Sequence, residues 1–90
     1  MREIDKVTIL PNAVARQVGE ETVILHLGSG TYFGLDAVGA RIWQLIAEGK
    51  SLDEICGVIL DEYEVSRPDL ERDLEILIED LLKQDLIATS

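Results

Sequence analysis

The side chains of this 90-residue chain that are best suited to nucleophilic, acid–base or metal chemistry are His26, Ser29 and Cys56. A metal site needs several nitrogen or sulfur ligands at suitable spacing, and a nucleophilic serine or cysteine needs a partner base. His26 is the only histidine and Cys56 the only cysteine, so neither requirement is met at a recognisable spacing. We therefore expect no catalytic residue, no metal ion and no cofactor, and we expect His26 to be a polar residue on a half-exposed strand face.

Ser29 and Cys56 both have structural explanations. The Gly28-Ser29-Gly30 segment is shorter than a phosphate-binding loop and lacks the lysine that follows such loops. It indicates a hairpin turn in which both glycines can adopt positive φ. Cys56 lies in an apolar run with acidic neighbours, which is typical of a buried thiol with a raised pKa. A single cysteine also gives no sign of an oxidising compartment, so we expect a cytoplasmic protein.

The charge of the chain narrows the classes of partner. The formal net charge is -10, and from Ser51 onward there are twelve acidic residues but only three basic ones. Nucleic-acid binding depends on Lys and Arg contacts to phosphates, and anionic membrane surfaces attract the same side chains. No segment approaches the roughly 18 continuous apolar residues of a membrane span. We expect a soluble protein that binds neither nucleic acid nor membrane.

The hydrophobic pattern predicts three strands followed by three helices, in a single domain that spans residues 1–90. The strands are residues 14–18, 22–27 and 31–35, and the second is apolar at four of its six positions. Such a run suits a central strand that is covered on both faces. The first and third strands are then the edges of an antiparallel sheet.

The helices are predicted from capping residues and apolar spacing, and they cover residues 37–48, 52–63 and about 68–84. Asp36 can cap the first helix and Gly49 can end it. Ser51 and Glu54 fit the capping box of the second, and Pro68 suits the first turn of the third. This order indicates an α+β domain close to a winged helix-turn-helix, with the three-stranded antiparallel sheet placed before the three helices. The fold alone would suggest DNA binding, but the charge argues against it and fold does not settle function.

One apolar residue of the third helix falls outside its core-facing stripe. At about 100° per residue, that stripe consists of Leu70, Leu74, Leu77 and Leu81, with Ile78 and Leu82 at its flank. Ile76 lies roughly 130° around the helix from the stripe, among acidic residues. It is either an ordinary exposed apolar side chain or a contact in a binding groove.

Three stretches of the chain resemble a known family. Residues 30–45 (GTYFGLDAVGARIWQL), 51–55 (SLDEI) and 69–74 (DLERDL) are similar to the PqqD-like leader-peptide-binding proteins, the RiPP recognition elements. The similarity extends over residues 7–88, and within the family it is greatest to the stand-alone leader-binding proteins of lasso-peptide clusters. Asp36 stands where many relatives carry Asn, which is a conservative difference for a helix cap.

The resemblance implies that the leader of a ribosomally made precursor peptide adds as an antiparallel strand to the sheet edge at residues 31–35. The third helix forms the other wall of the implied groove. Carried over by position, the peptide-binding residues are Thr31, Tyr32, Phe33, Gly34, Leu35, Asp69, Arg72, Asp73 and Ile76. For Phe33 and Leu35, packing in the core is at least as good an explanation.

The function implied by the resemblance is that of a non-catalytic adaptor without a cofactor. Such an adaptor presents the precursor to a cysteine-protease-like leader peptidase and, through it, to an ATP-dependent cyclase. Three alternatives remain open from the sequence: a winged-helix DNA-binding regulator, a PqqD-like carrier in another RiPP pathway, and an inert dimerisation or small-ligand module.

Overall fold

The computed structural model describes residues 5–89, which form five strands and three helices. In chain order these elements are β1 (Val7–Ile9), β2 (Ala13–Val18), β3 (Glu21–His26), β4 (Tyr32–Leu35), α1 (Ala37–Ala47), α2 (Leu52–Glu62), α3 (Arg67–Lys83) and β5 (Ile87–Thr89). The predicted α+β architecture is confirmed, and the bounds of the predicted strands and helices are correct to within about one residue.

The central strand of the main sheet is β3. The sheet is antiparallel with the order β2-β3-β4, as the apolar run of β3 predicts. Ile24 in β3 is fully buried and lies opposite Phe33 of β4. Within residues 5–89, β2 and β4 each pair with β3 alone, so each strand has one edge without a neighbouring strand.

A second, two-stranded sheet joins the two ends of the described chain. β1 and β5 pair antiparallel, with Val7 opposite Thr89 and Ile9 opposite Ile87. Val7 and Ile87 are buried, and the two strands pack against α1 and α3. Each strand has only three residues, which is too few for an alternating pattern, so this pairing is not apparent from the sequence.

The turn between β3 and β4 is built around His26, and it determines where β4 begins. The main-chain N–H of His26 donates to the Thr31 carbonyl, and its carbonyl accepts from the Gly30 N–H, both at 2.8 Å. Its ring Nδ1 accepts from the N–H groups of Gly28 and Ser29 at 3.1 Å. These bonds give the half-buried His26 ring a structural role in the hairpin.

The two glycines of this turn are required for different reasons. Gly30 has the predicted positive φ, at 74°. The same prediction for Gly28 was wrong, because its φ is not in the positive range. A Cβ at Gly28 would instead lie 3.0 Å from a ring carbon of His26. The close approach of the imidazole therefore explains this glycine.

Side-chain caps fix the start of each helix, and the caps of α1 and α3 border the site described below. Asp36 accepts a hydrogen bond from the N–H three residues ahead at 2.7 Å, as predicted for α1. Ser66 accepts from the N–H of Asp69 at 3.3 Å at the start of α3. The predicted capping box of α2 is also present, with reciprocal bonds between Ser51 and Glu54.

The core-facing side of α3 differs from the predicted stripe. Its nearly fully buried residues are Leu70, Leu74, Ile78 and Leu81. The prediction that Leu77 lies on the core stripe and Ile78 at its flank was wrong, because Leu77 is only half-buried and Ile78 is 2% exposed. A helical period predicts an apolar stripe, but the rotation of the helix about its axis depends on its tertiary neighbours. The observed rotation turns Leu77 toward the space between α3 and β4.

Candidate functional site

A groove of about 600 Å³, which we call the β4 groove, lies between β4, the start of α1 and α3. It combines a strand edge, an apolar floor and a largely acidic rim. The residues that line it are Phe33, Gly34, Leu35, Asp36, Val38, Gly39, Ile42, Glu64, Val65, Ser66, Asp69, Leu70, Asp73, Ile76, Leu77 and Asp80.

The β4 side of the groove is a free strand edge. The His26 N–H donates to Thr31 across the β3–β4 ladder, and hydrogen-bonded pairs alternate along an antiparallel ladder. From this register, the main chain of Phe33 bonds within the sheet, whereas the main-chain groups of Tyr32 and Gly34 face outward. Gly34 has no side chain to cover this edge, and a Cβ there would meet nothing within 4 Å. An extended peptide can therefore reach the outward N–H and C=O groups.

The opposite wall of the groove is one side of α3. Four residues within about 60° of one another around the helix axis line the groove from this side: Asp69, Asp73, Ile76 and Asp80. Ile76 is 53% exposed, whereas Ile78, two positions further along, is 2% exposed. Ile76 is therefore an apolar side chain that lies at the groove and outside the core.

The floor of the groove is apolar. It is formed by buried Leu35, Ile42 and Leu70 and by half-buried Phe33, Val38 and Leu77. Val65, in the connection between α2 and α3, is 39% exposed and adds apolar surface. Leu35 is only 5% exposed, so most of its surface packs in the core, whereas Phe33 keeps part of its ring open to the groove.

The structure brings most of the peptide-binding residues expected from the resemblance to this one groove. Those that line it are Phe33, Gly34, Leu35, Asp69, Asp73 and Ile76. The first three belong to β4 and the others to α3, and the floor of the groove separates the two groups. The fold places these residues around one groove. That they contact a peptide is a prediction.

Thr31, Tyr32 and Arg72 do not line the groove. The Thr31 hydroxyl lies 2.7 Å from that of Ser29 in the hairpin turn. The side chain of Tyr32 is 76% exposed, and the alternation along β4 places it on the opposite face of the sheet from Phe33. The guanidinium of Arg72 donates to Asp69 at 3.1 Å from a position further around α3. Of these three residues, only Tyr32 is available at the strand edge, through its main-chain N–H and C=O groups.

Several groove residues were not identified as site residues from the sequence. Val38 and Ile42 fit the core pattern of α1, so nothing local shows that they also form a groove floor. Val65 lies in a break between helices, where an apolar residue without periodic partners is a signal of apolar surface outside the core. The apolar stripe predicts Leu77 in the core. The rotation of α3 that places it at the groove is set by tertiary packing, which the stripe does not reveal.

The groove is acidic. Its lining includes the carboxylates of Asp36, Glu64, Asp69, Asp73 and Asp80, and no Lys or Arg of residues 5–89 is part of it. Asp36 caps α1 and Asp69 accepts from Arg72, so two of these carboxylates already have partners. A phosphate backbone would be repelled here, because DNA binding needs cationic side chains.

A second groove, of about 590 Å³, lies between the free edge of β2 and α1. Its lining includes Arg41 and the buried Trp43, but none of the exposed large apolar side chains found in residues 5–89. Arg41 is held to Glu62 by two hydrogen bonds of 2.8 Å, and these bonds lower the pKa of the Glu62 carboxyl. This groove has a strand edge but no exposed apolar contact, so the β4 groove is the stronger candidate.

The side chains suited to chemistry lie outside the β4 groove. Cys56 is 1% exposed, and its thiol pKa is raised chiefly by burial and secondarily by the charge of Glu71. Of the acidic residues near Cys56 in the sequence, Asp53 also raises this pKa, but less than burial and Glu71 do. In the described part of the chain, no group of three or more His, Cys, Asp or Glu side chains is arranged to hold a metal ion.

No helix within residues 5–89 is long and apolar enough to cross a membrane.

The fold and the groove define a small α+β domain of the winged helix-turn-helix type, in which a free sheet edge faces an apolar, acidic-rimmed groove. The chain belongs to the PqqD family, because residues 21–87 match the family described as coenzyme PQQ synthesis protein D (PqqD). The resemblance to PqqD-like RiPP recognition elements is thereby confirmed.

Two solved structures are similar to this chain. The first is described as TbiB1 in complex with the TbiA(beta) leader peptide; it is 48% identical over 89% of this chain and 93% of that chain, with a TM-score of 0.81. The second is described as lasso peptide synthetase B1 complexed with the leader peptide; it is 29% identical over 91% of this chain and 96% of that chain, with a TM-score of 0.82. No curated protein sequence matches the chain.

Proposed function

We propose that this protein is a leader-binding adaptor of lasso-peptide biosynthesis. The leader of a ribosomally made precursor adds as an antiparallel strand to the outward edge of β4, and its side chains on one face enter the β4 groove. The observation that carries the proposal is the free edge at Tyr32 and Gly34, which lies across an apolar floor from the exposed Ile76. Main-chain bonds then supply affinity, and the groove reads alternate side chains.

The solved structures support this occupant of the groove. Both similar proteins are described as complexes with a leader peptide, and one of them is called a lasso peptide synthetase B1. The alternative of a winged-helix DNA-binding regulator is not favoured, because the relatives bind leaders and α3 presents carboxylates to the groove. The carrier role in a different RiPP pathway is also less well supported than the lasso role.

The adaptor is proposed to bind the precursor without changing it chemically. The thiol of Cys56 is buried and His26 is occupied by the hairpin turn, so neither side chain is positioned to attack a bound peptide. The bound precursor passes to a cysteine-protease-like leader peptidase and, through it, to an ATP-dependent cyclase. We place this activity in the cytoplasm, where precursors are translated and a buried free thiol persists.

The test first seeks a short precursor peptide encoded next to the gene for this chain. Its leader, labelled with a fluorophore, is titrated with purified protein, and binding is followed by fluorescence anisotropy. We expect saturable binding, and mass spectrometry should find the incubated precursor intact. Absence of binding at micromolar protein would overturn the leader-binding function. Cleavage that persists after repurification would instead overturn the non-catalytic role.

A further inference from the structure

We infer that the β4 groove selects leaders that carry Lys or Arg next to an apolar residue at the positions that face α3. This inference rests on the proposed function and specifies the chemical class of peptide that the groove accepts. Its basis is the arrangement of charge on α3, where Asp73 precedes Ile76 by one turn and Asp80 follows it by one turn.

The rim carboxylates are available to a ligand. In the described chain, the side chains of Glu64 and Asp80 make no hydrogen bond or ion pair, and Asp73 has only a marginal contact of 4.0 Å to Arg72. The side chain of Arg72 is 66% exposed and does not line the groove. Among the described residues, Glu64 and Asp80 therefore face the groove without a cationic partner, and Asp73 has only a distant one.

The geometry of an added strand suits this pattern. Alternate side chains of a strand point to one face at a spacing of about 6.7 Å, while successive turns of a helix are about 5.4 Å apart. An apolar leader residue at Ile76 thus has a same-face neighbour within reach of Asp73 or Asp80. The long stems of Lys and Arg can lie along the apolar floor while their charged ends stay at the rim.

Charge complementarity also acts at long range. The net charge of -10 disfavours a second copy of this chain as the occupant of the groove and attracts a cationic peptide. Electrostatic attraction of this kind mainly raises the association rate and excludes partners of like charge. An acidic or neutral leader would gain neither effect.

The experiment compares two variants that have the same net charge. Asp73→Asn with Asp80→Asn removes the carboxylates on either side of Ile76, and Asp61→Asn with Glu79→Gln removes two exposed carboxylates that do not line the groove. The leader affinity of each protein is measured by anisotropy at about 0.05 M and about 0.5 M salt. We expect the first variant to bind about three- to tenfold more weakly at low salt, and the control to change by less than about twofold.

A reciprocal arm tests the charge on the peptide. A leader in which every Lys and Arg is replaced by Glu should lose affinity for the wild type and regain part of it on Asp73→Lys with Asp80→Lys. The inference is overturned if the leader has no Lys or Arg at α3-facing positions. It is also overturned if Asp73→Asn with Asp80→Asn loses no more leader affinity than the control, Asp61→Asn with Glu79→Gln. A wild-type affinity that does not depend on salt would overturn it as well. In all of these cases the leader still binds and the adaptor function stands, whereas failure of the unmodified leader to bind refutes both.

Discussion

Ile76 is an exposed apolar residue of α3 that lies outside the core and lines the β4 groove, so it tests the proposed function directly. We expect Ile76→Ser to weaken leader binding by about 1 to 3 kcal/mol, as for a central apolar contact in a small interface. Because Ile76 is 53% exposed, the melting temperature should change little. An uncharged replacement is used because a new carboxylate would itself attract a cationic leader.

The matched control is Ile78→Ser on the same helix. Ile78 is 2% exposed, so this change should destabilise the fold by about 2 to 5 kcal/mol and lower the melting temperature sharply. Thermal melting and anisotropy on both variants separate the two effects. Early melting of Ile76→Ser, or wild-type leader affinity in that variant, would show that the groove contact is misplaced.

The exposure of Ile76 could be predicted from the sequence, but the role of Leu77 could not. Ile76 lies far enough around α3 from every candidate stripe that a modest rotation of the helix leaves it outside the core. Leu77 lies near the border of the stripe, where the same rotation decides between core and groove. That rotation depends on packing against α2 and β5, which no helical period contains.

The Arg41–Glu62 pair gives a prediction about pH. The bonds from Arg41 lower the pKa of the Glu62 carboxyl in the folded protein. The Arg41 side chain is 27% exposed and the Glu62 side chain is 39% exposed. The contribution of the pair to stability is therefore complete above the ordinary glutamate pKa of about 4.3 and is lost as the pH falls through the lower folded value. Solvent screening keeps this contribution small.

We expect Glu62→Gln to melt slightly below the wild type at neutral pH, and this difference to shrink toward zero as the pH falls through the lowered pKa of the folded Glu62 carboxyl. Thermal melting across pH measures it. In an Arg41→Gln background, Glu62→Gln should have no further effect. A difference that persists at acid pH would mean that the pair does not cause it.

Among the elements, β4 carries the edge to which the leader is proposed to add as a strand. Gly34→Pro removes an outward N–H without breaking the β3–β4 ladder, because the Gly34 main chain faces away from β3. We expect this variant to fold and to lose at least about tenfold in leader affinity, since both a main-chain bond and the approach of the added strand are impaired.

Gly34→Ala is the control for the proline variant. It keeps the N–H and places a Cβ in open space, so its leader affinity should stay closer to that of the wild type. Circular dichroism and thermal melting establish that both variants fold, and anisotropy gives the affinities. Equal affinity for the proline and alanine variants would argue against strand addition at β4.

The elements themselves were largely predictable because local signals agree along most of the chain. Asp36, and Ser51 with Glu54, mark the starts of α1 and α2, and Gly30 marks the hairpin turn. The reason for Gly28 was not predictable, because it lies in the orientation of a side chain two residues away. The short β1 and β5 carry no periodic signal, and only tertiary packing brings them together.

At the level of the whole molecule, the fold and the charge point to different ligands. A sheet followed by three helices resembles a DNA-binding fold, but a net charge of -10 and carboxylates along α3 suit a peptide and not a phosphate backbone. The strand edge that faces α3 explains how such a fold can bind a peptide. The two similar solved structures, both described as complexes with a leader peptide, agree with a peptide ligand.

Within residues 5–89 the main sheet has two outer edges, on β2 and on β4, and the proposal must distinguish them. On β2, the Leu27 N–H donates to Asn12 across the β2–β3 ladder, so the register places the main-chain groups of Ala15 and Gln17 on the outer edge. These groups border the second groove beside α1. A leader could form the same main-chain bonds there, but the described residues that line the second groove include no exposed large apolar side chain like Ile76.

Amide hydrogen exchange, measured residue by residue by NMR with and without saturating leader, tests the central claim most directly. Strand addition at β4 predicts that the amides of Tyr32 and Gly34 gain protection on binding, because their outward N–H groups become bonded to the leader. The amides of Ala15 and Gln17 should exchange as they do in the free protein. Protection at Ala15 and Gln17 with none at Tyr32 and Gly34, or no change at either edge, would contradict the account.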